Sequence, residues 1–184
     1  MTIIKGAAFD PALKNWAVAL IEINLDTMEF DIEDLKLFQT EKAKGKQVRS
    51  SSDYYRRARY LNDNVKAAIG DRKIVFAEVP SGGQDYKSVY GFGITVGLLA
   101  GLNQRIIEVS PSEAKKAAVG TSTASKREMI DWAFEEYPDA PWLTRKFKGE
   151  IVPTMSNEHL ADACAIAKAG LLTPEFENMA NLFK

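Results

Sequence analysis

Four side chains in this sequence have the types and positions that a divalent metal site requires. Asp10 and Glu78 each follow a short apolar run that is typical of a buried strand. His159, the only histidine, lies three residues before Asp162, so the two would share one face of a helix. Ligands of open α/β sheets bind beyond the carboxyl ends of strands. Carboxylate oxygens suit Mg²⁺ or Mn²⁺, and Mn²⁺ also accepts imidazole, so the four residues predict a metal-dependent site.

Each of these residues also has an ordinary explanation when it is considered alone. Asp10 precedes a proline, and Asp-Pro is common in turns. Glu78 could simply follow the end of a strand, and a single histidine is usually a surface residue or a hydrogen-bonded core residue. Asp162 is harder to explain, because an unpaired carboxylate among small apolar residues is costly to bury. The hypothesis therefore rests on the four residues together and on their order along the chain.

The composition favours one soluble globular domain. The chain has 184 residues, of which 46% are hydrophobic and 27% are charged. No apolar run reaches the roughly 20 residues that a membrane-spanning helix needs, and the N-terminus lacks the basic and apolar regions of a signal peptide. The single cysteine, Cys164, cannot form an internal disulfide. This composition is consistent with a cytoplasmic location and predicts no membrane partner.

Positive charge is concentrated in one segment, although the formal net charge of the chain is −1. Residues 42–59 contain seven basic residues and a single acid, Asp53. A local basic surface can follow the phosphates of a nucleic acid on a protein that is neutral overall. A solvated loop and helix start explain the same charges about equally well. The predicted phosphate-binding residues of this segment are Lys42, Lys44, Lys46, Arg49, Arg56, Arg57 and Arg59.

Hydrophobic periodicity predicts a mixed sheet flanked by helices, which is an α/β fold. Three strands joined by short polar links favour an antiparallel meander, and two compact apolar strands follow. The strands are predicted over 3–9, 16–23, 28–38, 73–77 and 105–109. Helices are predicted over 53–69, 85–102, a short segment opening at Pro111, the segment capped by Ser122 or Thr123 and stopped at Pro138, and 157–170. Residues 139–156 are expected to be irregular.

Two of the predicted helices have a distinctive residue pattern. The apolar stripe of helix 53–69 is predicted to consist of Tyr55, Ala58, Leu61 and Val65. Helix 85–102 contains four glycines, which cost helix stability. We therefore expect this second helix to pack closely, either on its own sheet or against a partner subunit.

Three segments of the sequence carry a resemblance to a known family. They are AAFDPALKNWAVALIEI from Ala7, IVFAEVP from Ile74, and NEHLADACAIAKAGL from Asn157. They resemble the three acidic motifs of the RuvC family of Holliday junction resolvases, within the ribonuclease H-like superfamily. The intervening SDYYRRARYLNDNVKAAI resembles the first helix of the family, and PSEAKKAAVGTSTASKREMIDWAF is similar to a segment with two functional lysines. The resemblance extends over about residues 7 to 170 and suggests a phage or otherwise divergent member of the family.

The resemblance implies a ribonuclease H-like fold in a single domain over 1–184. Its sheet would be mixed and five-stranded, with three antiparallel strands followed by two parallel ones. The implied activity is hydrolysis of DNA phosphodiesters with two Mg²⁺ ions per site, or Mn²⁺ in their place, leaving 5′-phosphate and 3′-hydroxyl ends. Asp10, Glu78 and Asp162 are the implied carboxylate ligands. His159 stands where the family usually has a further aspartate, a position at which some members have histidine.

The resemblance also implies partners and DNA contacts. Lys115 and Lys126 correspond to the functional lysines and are expected to contact phosphates near the scissile bond. The implied substrate is branched DNA, chiefly four-way junctions, bound by a homodimer with two-fold symmetry. Helix 85–102 is the candidate dimer contact, with packing on its own sheet as the alternative.

One family feature is absent from its usual place. Family members usually have an aromatic residue, which helps to open the junction, three positions after the second acid. This chain has Ser81 there, and Tyr86 or Tyr90 is the candidate for that role.

Two other functions fit the sequence less well. One is a broader nuclease that cuts other branched DNA or RNA–DNA hybrids. The other is a DNA-binding module without hydrolysis, and the histidine at position 159 is the feature that supports it.

Overall fold

The computed structural model of the protein describes residues 2–45, 47–80 and 85–182, and its centre is a five-stranded sheet. The strands are β1 (Ile3–Pro11), β2 (Asn15–Asn24), β3 (Glu29–Gln39), β4 (Ile74–Ala77) and β5 (Arg105–Glu108). They lie in the order β3, β2, β1, β4, β5. β2 is antiparallel to both β1 and β3, whereas β4 is parallel to both β1 and β5. The predicted fold class, with three antiparallel strands followed by two parallel ones, is confirmed.

The central strands are apolar at consecutive positions because both faces of the sheet are covered. In β1, Ala8 belongs to one hydrophobic cluster, whereas Ala7 and Phe9 belong to the cluster on the opposite face. The neighbouring β2 divides in the same way, with Ala17 in the first cluster and Val18 in the second. Successive side chains of a strand point to opposite faces. A continuous apolar run therefore indicates a strand between two layers of helices.

Helices supply those two layers. They are α1 (Ser50–Ile69), α2 (Tyr86–Ala100), α3 (Pro111–Val119), α4 (Lys126–Glu136), α5 (Asn157–Leu171) and α6 (Pro174–Ala180). Buried residues of α1 and α2 complete the cluster around Phe9, and those of α3, α4, α5 and α6 complete the cluster around Ala8. None of the described helices is long and apolar enough to cross a membrane.

The helix α5 packs close to the sheet because the side chains on its buried face are small. The alanines between 161 and 169 are buried, and α5 contacts β1, β2, β3 and β4. Near its end, Gly170 lies so close to Phe76 that an added Cβ would overlap the ring. Phe76 is fully buried and packs edge-on against Phe176 of α6, with 5.3 Å between ring centroids. These contacts determine the distance between α5 and the sheet, and therefore where the polar residues of α5 lie.

Capping boxes determine where α3 and α4 begin. Ser110 accepts a hydrogen bond from the backbone N–H of Glu113, whose carboxylate accepts one from the Ser110 N–H. Ser125 and Glu128 make the same reciprocal pair at the start of α4. The cap predicted at Ser122 or Thr123 is therefore wrong, since the pair that satisfies the free N–H groups begins at Ser125.

The helix α1 departs from the predicted apolar stripe. Its buried residues recur every four positions and are Asp53, Arg57, Leu61, Val65 and Ile69. Tyr55, which was predicted to be buried, is 66% exposed. Asp53 and Arg57 tolerate burial because they are hydrogen-bonded: the carboxylate accepts from the Ala43 N–H, and the guanidinium donates to the hydroxyl of Thr40. This polar pair holds the chain around Thr40 and Ala43 against the start of α1.

The sequence pattern did not predict two C-terminal elements. One is a hairpin of β6 (Thr144–Phe147) and β7 (Glu150–Pro153), within the segment expected to be irregular. The other is α6. The hairpin turn consists of Lys148 and Gly149, with φ angles of 49° and 90°, as a two-residue type I′ turn requires. The prediction missed the hairpin because its strands are short and show no apolar alternation towards a core.

The close packing of α5 leads to a prediction about stability. Gly170→Ala is expected to lower the free energy of unfolding by about 1–3 kcal/mol, because its methyl group would overlap the ring of Phe76, which is fully buried and packed against Phe176. Glu135→Ala in α4 is the control, since this side chain is exposed. The control is expected to change the free energy of unfolding by no more than about 0.5 kcal/mol. Urea denaturation measures both, and equal midpoints would contradict the packing described for α5.

Candidate active site

The carboxyl ends of β1 and β4 bring two acidic residues together. Asp10 is the second-to-last residue of β1, and Glu78 directly follows β4. The two strands are parallel neighbours, so they end at the same edge of the sheet. The Glu78 N–H donates to the Phe9 carbonyl over 3.4 Å, which continues the pairing of the strands up to the acid. The sheet alone therefore places these two carboxylates side by side.

The first turn of α5 adds a histidine to this edge. The distance between His159 Nδ1 and Asp10 Oδ2 is 3.0 Å, a hydrogen bond between residues 149 positions apart. Both side chains are largely covered, with 22% and 21% of their surfaces exposed. Asp162, one turn further along α5, interacts electrostatically with Asp10, Glu78 and His159. The structure thus brings together all four residues that the sequence suggested for a metal site.

Two further residues, Asn15 and Gln39, orient the histidine. The side chain of Gln39 donates from Nε2 to Asn15 Oδ1 over 3.0 Å. The Asn15 Nδ2 lies 2.9 Å from His159 Nε2, to which it donates in this arrangement. The neutral ring then has its proton on Nδ1, where it donates to Asp10. Each ring nitrogen has a defined partner, so the rotamer and tautomer of His159 are both set.

Sequence reasoning missed Asn15 and Gln39, and no motif identifies them. They are direct partners in the pairing of β2 with β3, at the start of one strand and the end of the other. That end of the two strands lies at the same edge of the sheet as Asp10. Polar residues at strand ends are common in turns, so only the register shows that these two meet the histidine.

Glu78 and Asp162 line a small cavity beside this hydrogen-bonded chain. The cavity has a volume of about 60 Å³, and Lys115 of α3 is also part of its lining. This space exceeds what one water molecule needs. The cavity therefore offers room for a small cation or water between two carboxylates, with one ammonium group nearby.

Two carboxyl groups of the site, those of Glu78 and Asp162, hold protons more strongly than free carboxyls do. Burial, together with the charge of Asp10, raises the pKa of Asp162 to about 7. Burial and the Asp10 charge also raise the pKa of Glu78, an effect that Lys115 opposes. The hydrogen bond to Asp10 raises the pKa of His159, against a smaller opposing effect of burial. All three shifts indicate an excess of negative charge in a partly desolvated place.

The donor set fits a hard divalent cation, which would neutralise this excess charge. Carboxylate oxygens are the preferred ligands of Mg²⁺ and Mn²⁺, and imidazole is acceptable to Mn²⁺. Within residues 2–45, 47–80 and 85–182, no three His, Cys, Asp or Glu side chains already have the arrangement of a metal cluster. Side chains of the site would therefore have to move from the positions described here to share an ion.

Lys126, which was predicted to contact a phosphate, forms a salt bridge with an acid of α5. Its Nζ lies 3.1 Å from both carboxylate oxygens of Glu158. Glu158 Oε1 is also 3.6 Å from Nε2 of His159, so the salt bridge borders the site. The ammonium group is otherwise exposed. A DNA phosphate would compete with Glu158 for this lysine.

The basic segment begins shortly after β3 ends at Gln39, at the same edge of the sheet. Its exposed basic side chains are Lys42, Lys44, Arg49, Arg56 and Arg59. Lys46 lies outside the described residues. Arg57 is buried, and its guanidinium donates to Thr40 and to the Leu13 carbonyl. The prediction that Arg57 binds a phosphate is therefore corrected: it ties the segment to the turn between β1 and β2.

The tyrosines named as candidates for junction opening lie at the start of α2. Tyr86 is exposed, and the ring of Tyr90 lies against that of Tyr54, with 4.7 Å between centroids. Ser81 lies outside the described residues. The aromatic role of Tyr86 or Tyr90 stays a prediction.

Two solved structures of RuvC from Thermus thermophilus are similar to this chain over nearly its whole length. One, a complex with Holliday junction substrate, has a TM-score of 0.64 and 15% sequence identity over 96% of this chain and 97% of its own. The other has a TM-score of 0.56 and 16% identity over 91% and 92%. The chain has the RuvC fold. No protein-family model and no curated protein sequence matches it.

The raised pKa values predict how the stability of the metal-free protein depends on pH. The folded state binds more protons than the unfolded chain, so the free energy of unfolding falls as pH rises. This contribution is complete below the pKa of the unfolded groups and is lost as pH passes through the folded value, about 7 for Asp162. Asp162 accounts for a loss on the order of 2–4 kcal/mol, since one pKa unit equals about 1.4 kcal/mol.

Thermal unfolding in EDTA between pH 5 and pH 8 measures this slope. Asp162→Asn cannot titrate and is the control, for which we expect a clearly shallower slope. Mg²⁺ is expected to raise the unfolding temperature more at pH 8 than at pH 5, because protons and cations compete for the same carboxylates. Identical slopes for the parent and the variant would show that Asp162 does not carry the raised pKa.

Proposed function

We propose that this protein is a metal-dependent, structure-selective endodeoxyribonuclease that resolves four-way DNA junctions. The observation that carries the proposal is the meeting of Asp10 and His159 at the strand edge where Glu78 and Asp162 also lie. A fold alone does not determine activity, so the argument rests on these residues. The RuvC fold supports the proposal because one of the similar structures is a complex with Holliday junction substrate.

The residues of the site would have distinct tasks. Asp10, Glu78 and Asp162 would hold Mg²⁺ or Mn²⁺, two ions per site, and His159 would either add a ligand to one ion or take a proton from the attacking water. Bound divalent ions would polarise the scissile phosphate and lower the pKa of the attacking water. In its neutral form the ring of His159 has its proton on Nδ1 and its lone pair on Nε2, which is the nitrogen available for either task. Asn15 now occupies that lone pair, so it would have to yield first.

Positive side chains around the edge would bind the DNA backbone. Lys115 lines the cavity between Glu78 and Asp162, where it would face the scissile phosphate. Lys126 would join it after release from Glu158. The exposed lysines and arginines of the basic segment would bind phosphates further along the same duplex arm of the junction. Such contacts supply affinity and orientation but little sequence information.

We propose that α2 forms the contact between two copies of the chain. An added Cβ at Gly91, Gly93 or Gly97 would meet nothing within 4 Å, so close packing on the chain's own sheet does not explain these glycines. The same helix exposes Val89 and Tyr90. A four-way junction has two-fold symmetry, and a C2 dimer would offer it two equivalent sites.

The function is tested by cleavage of a synthetic four-way junction in Mg²⁺ and in Mn²⁺. We expect paired nicks with 5′-phosphate and 3′-hydroxyl ends that DNA ligase can seal. Asp10→Asn and Glu78→Gln are each expected to lower the rate at least about 100-fold, because each removes a charge that would stabilise the bound cations. Glu108→Gln is the matched control, since this exposed acid ends the neighbouring strand β5 outside the cluster.

The outcomes separate the alternatives. Variants that nick as fast as the parent would show that the proposed site is wrong. Binding without cleavage by the parent in either metal would favour a DNA-binding module. Equal cutting of flaps, RNA–DNA hybrids or linear duplex would favour a broader nuclease.

The dimer proposal is tested by sedimentation. Val89→Glu is expected to convert the dimer to a monomer at micromolar concentration, because it places a charge in the apolar contact. Junctions would then be nicked once rather than cut in pairs. Leu172→Glu, another exposed apolar position, is the control and is expected to stay dimeric. A dimeric Val89→Glu variant would place the contact elsewhere.

A further inference from the structure

The β6–β7 hairpin extends from the molecule without contributing to a core. All four residues of β6 are exposed, and Val152 is the one partly buried residue of β7. A two-stranded hairpin that buries so little gains little stability by itself. Packing against a core therefore does not explain the presence of this ten-residue hairpin, 144–153.

The side chains of the hairpin form a positively charged surface with an aromatic centre. Arg145, Lys146 and Lys148 stand against a single acid, Glu150. The ring of Phe147 is 51% exposed, with the Arg145 guanidinium 5.4 Å and the Lys148 ammonium 5.5 Å from its centroid. An exposed ring flanked by cations is suited to stacking with a base whose phosphates the cations can bind.

A buried asparagine fixes the base of the hairpin to the helix that carries the site. The Asn157 side chain accepts from the Leu143 N–H and donates to the Leu143 carbonyl, both over 2.9 Å. The Thr154 N–H donates to the same carbonyl over 2.9 Å, which closes the base. Asn157 is fully buried and is the first residue of α5, two positions before His159. The hairpin is therefore positioned by the same element as the candidate active site.

The hairpin and the basic segment lead into helices on opposite faces of the sheet. The basic segment leads into α1, which packs on the face of Phe9. The hairpin leads into α5, which packs on the other face. DNA that lies across the edge between these faces would have cations on both sides.

We propose that the β6–β7 hairpin is a second DNA-binding element, which grips the strand beside the scissile phosphate. Arg145, Lys146 and Lys148 bind its phosphates, and Phe147 stacks on a base left unpaired at the branch point. The charge of the hairpin favours DNA over a second copy of this chain, whose formal net charge is only −1. This inference rests on the proposed function, since it presumes a branched DNA substrate at the site.

The test measures binding of a fluorescent four-way junction, and of a linear duplex, by anisotropy in EDTA between 50 and 200 mM salt. Arg145→Gln/Lys148→Gln is expected to weaken both complexes about 10-fold and to reduce the slope of log K against log salt by about two, one unit per lost phosphate contact. Phe147→Leu keeps an apolar side chain but removes the ring. It is expected to weaken junction binding about 5-fold or more and to leave duplex binding unchanged, since paired bases offer no free face.

Lys66→Gln/Lys73→Gln is the matched control for charge. These exposed lysines lie at the end of α1 and just before β4, away from the carboxyl edge. The control is expected to keep the parent affinity within about 2-fold. All variants are expected to unfold at the parent temperature, because none of the changed side chains belongs to a described core cluster.

The outcomes distinguish failure of the hairpin proposal from failure of the proposed function. If the parent binds and cuts the junction but the hairpin variants keep its affinity and salt slope, the hairpin proposal is overturned and the nuclease proposal is untouched. A change from dimer to monomer in the hairpin variants would overturn it in favour of a contact between copies. A parent that neither binds nor cuts junctions would overturn both.

Discussion

Carboxylates from β1, β4 and α5 meet at one half-buried edge of the sheet, and like charges in partly desolvated surroundings repel each other. Burial and the charge of Asp10 together raise the pKa of Asp162 to about 7. Natural folds rarely retain such a cluster without a counter-charge. The hydrogen bond from His159 to Asp10 and the ammonium of Lys115 offset part of it. The negative charge that remains attracts cations, so this edge of the sheet is suited to binding them.

The rest of the fold keeps this unfavourable edge in place. The helix α5 lies against the sheet through buried alanines and through Gly170, whose missing side chain leaves room for the ring of Phe76. Such packing is rigid, because protein interiors have few spaces into which a side chain can move. The far end of α5 thus anchors the helix, while its first turn presents His159 and Asp162. The apolar packing of the C-terminal part of α5 offsets the free-energy cost of burying His159 and Asp162 near its start.

Polar contacts outside the cluster organise the surfaces around it. Buried Asp53 and Arg57 hold the basic segment on one face of the sheet, and buried Asn157 holds the hairpin on the other. In each case a hydrogen-bonded polar group inside the protein positions exposed cations outside it. Buried polar groups have defined partners and geometry, so they specify a loop position more sharply than apolar contacts do.

The sequence by itself determined the layers of the fold and the positions of four polar residues on them. Apolar runs marked the strands that end at Asp10 and Glu78, and helical spacing put His159 and Asp162 on one face. These are local patterns, and local backbone periodicity is what a sequence displays directly. Contacts between distant segments were decided only by the tertiary structure. Asn15 meets Gln39 and His159 through strand register, and Arg57 tolerates burial because a distant hydroxyl and carbonyl accept hydrogen bonds from its guanidinium. Register and long-range hydrogen bonds leave no periodic trace in the chain, so they become visible only when the strands and helices are assembled.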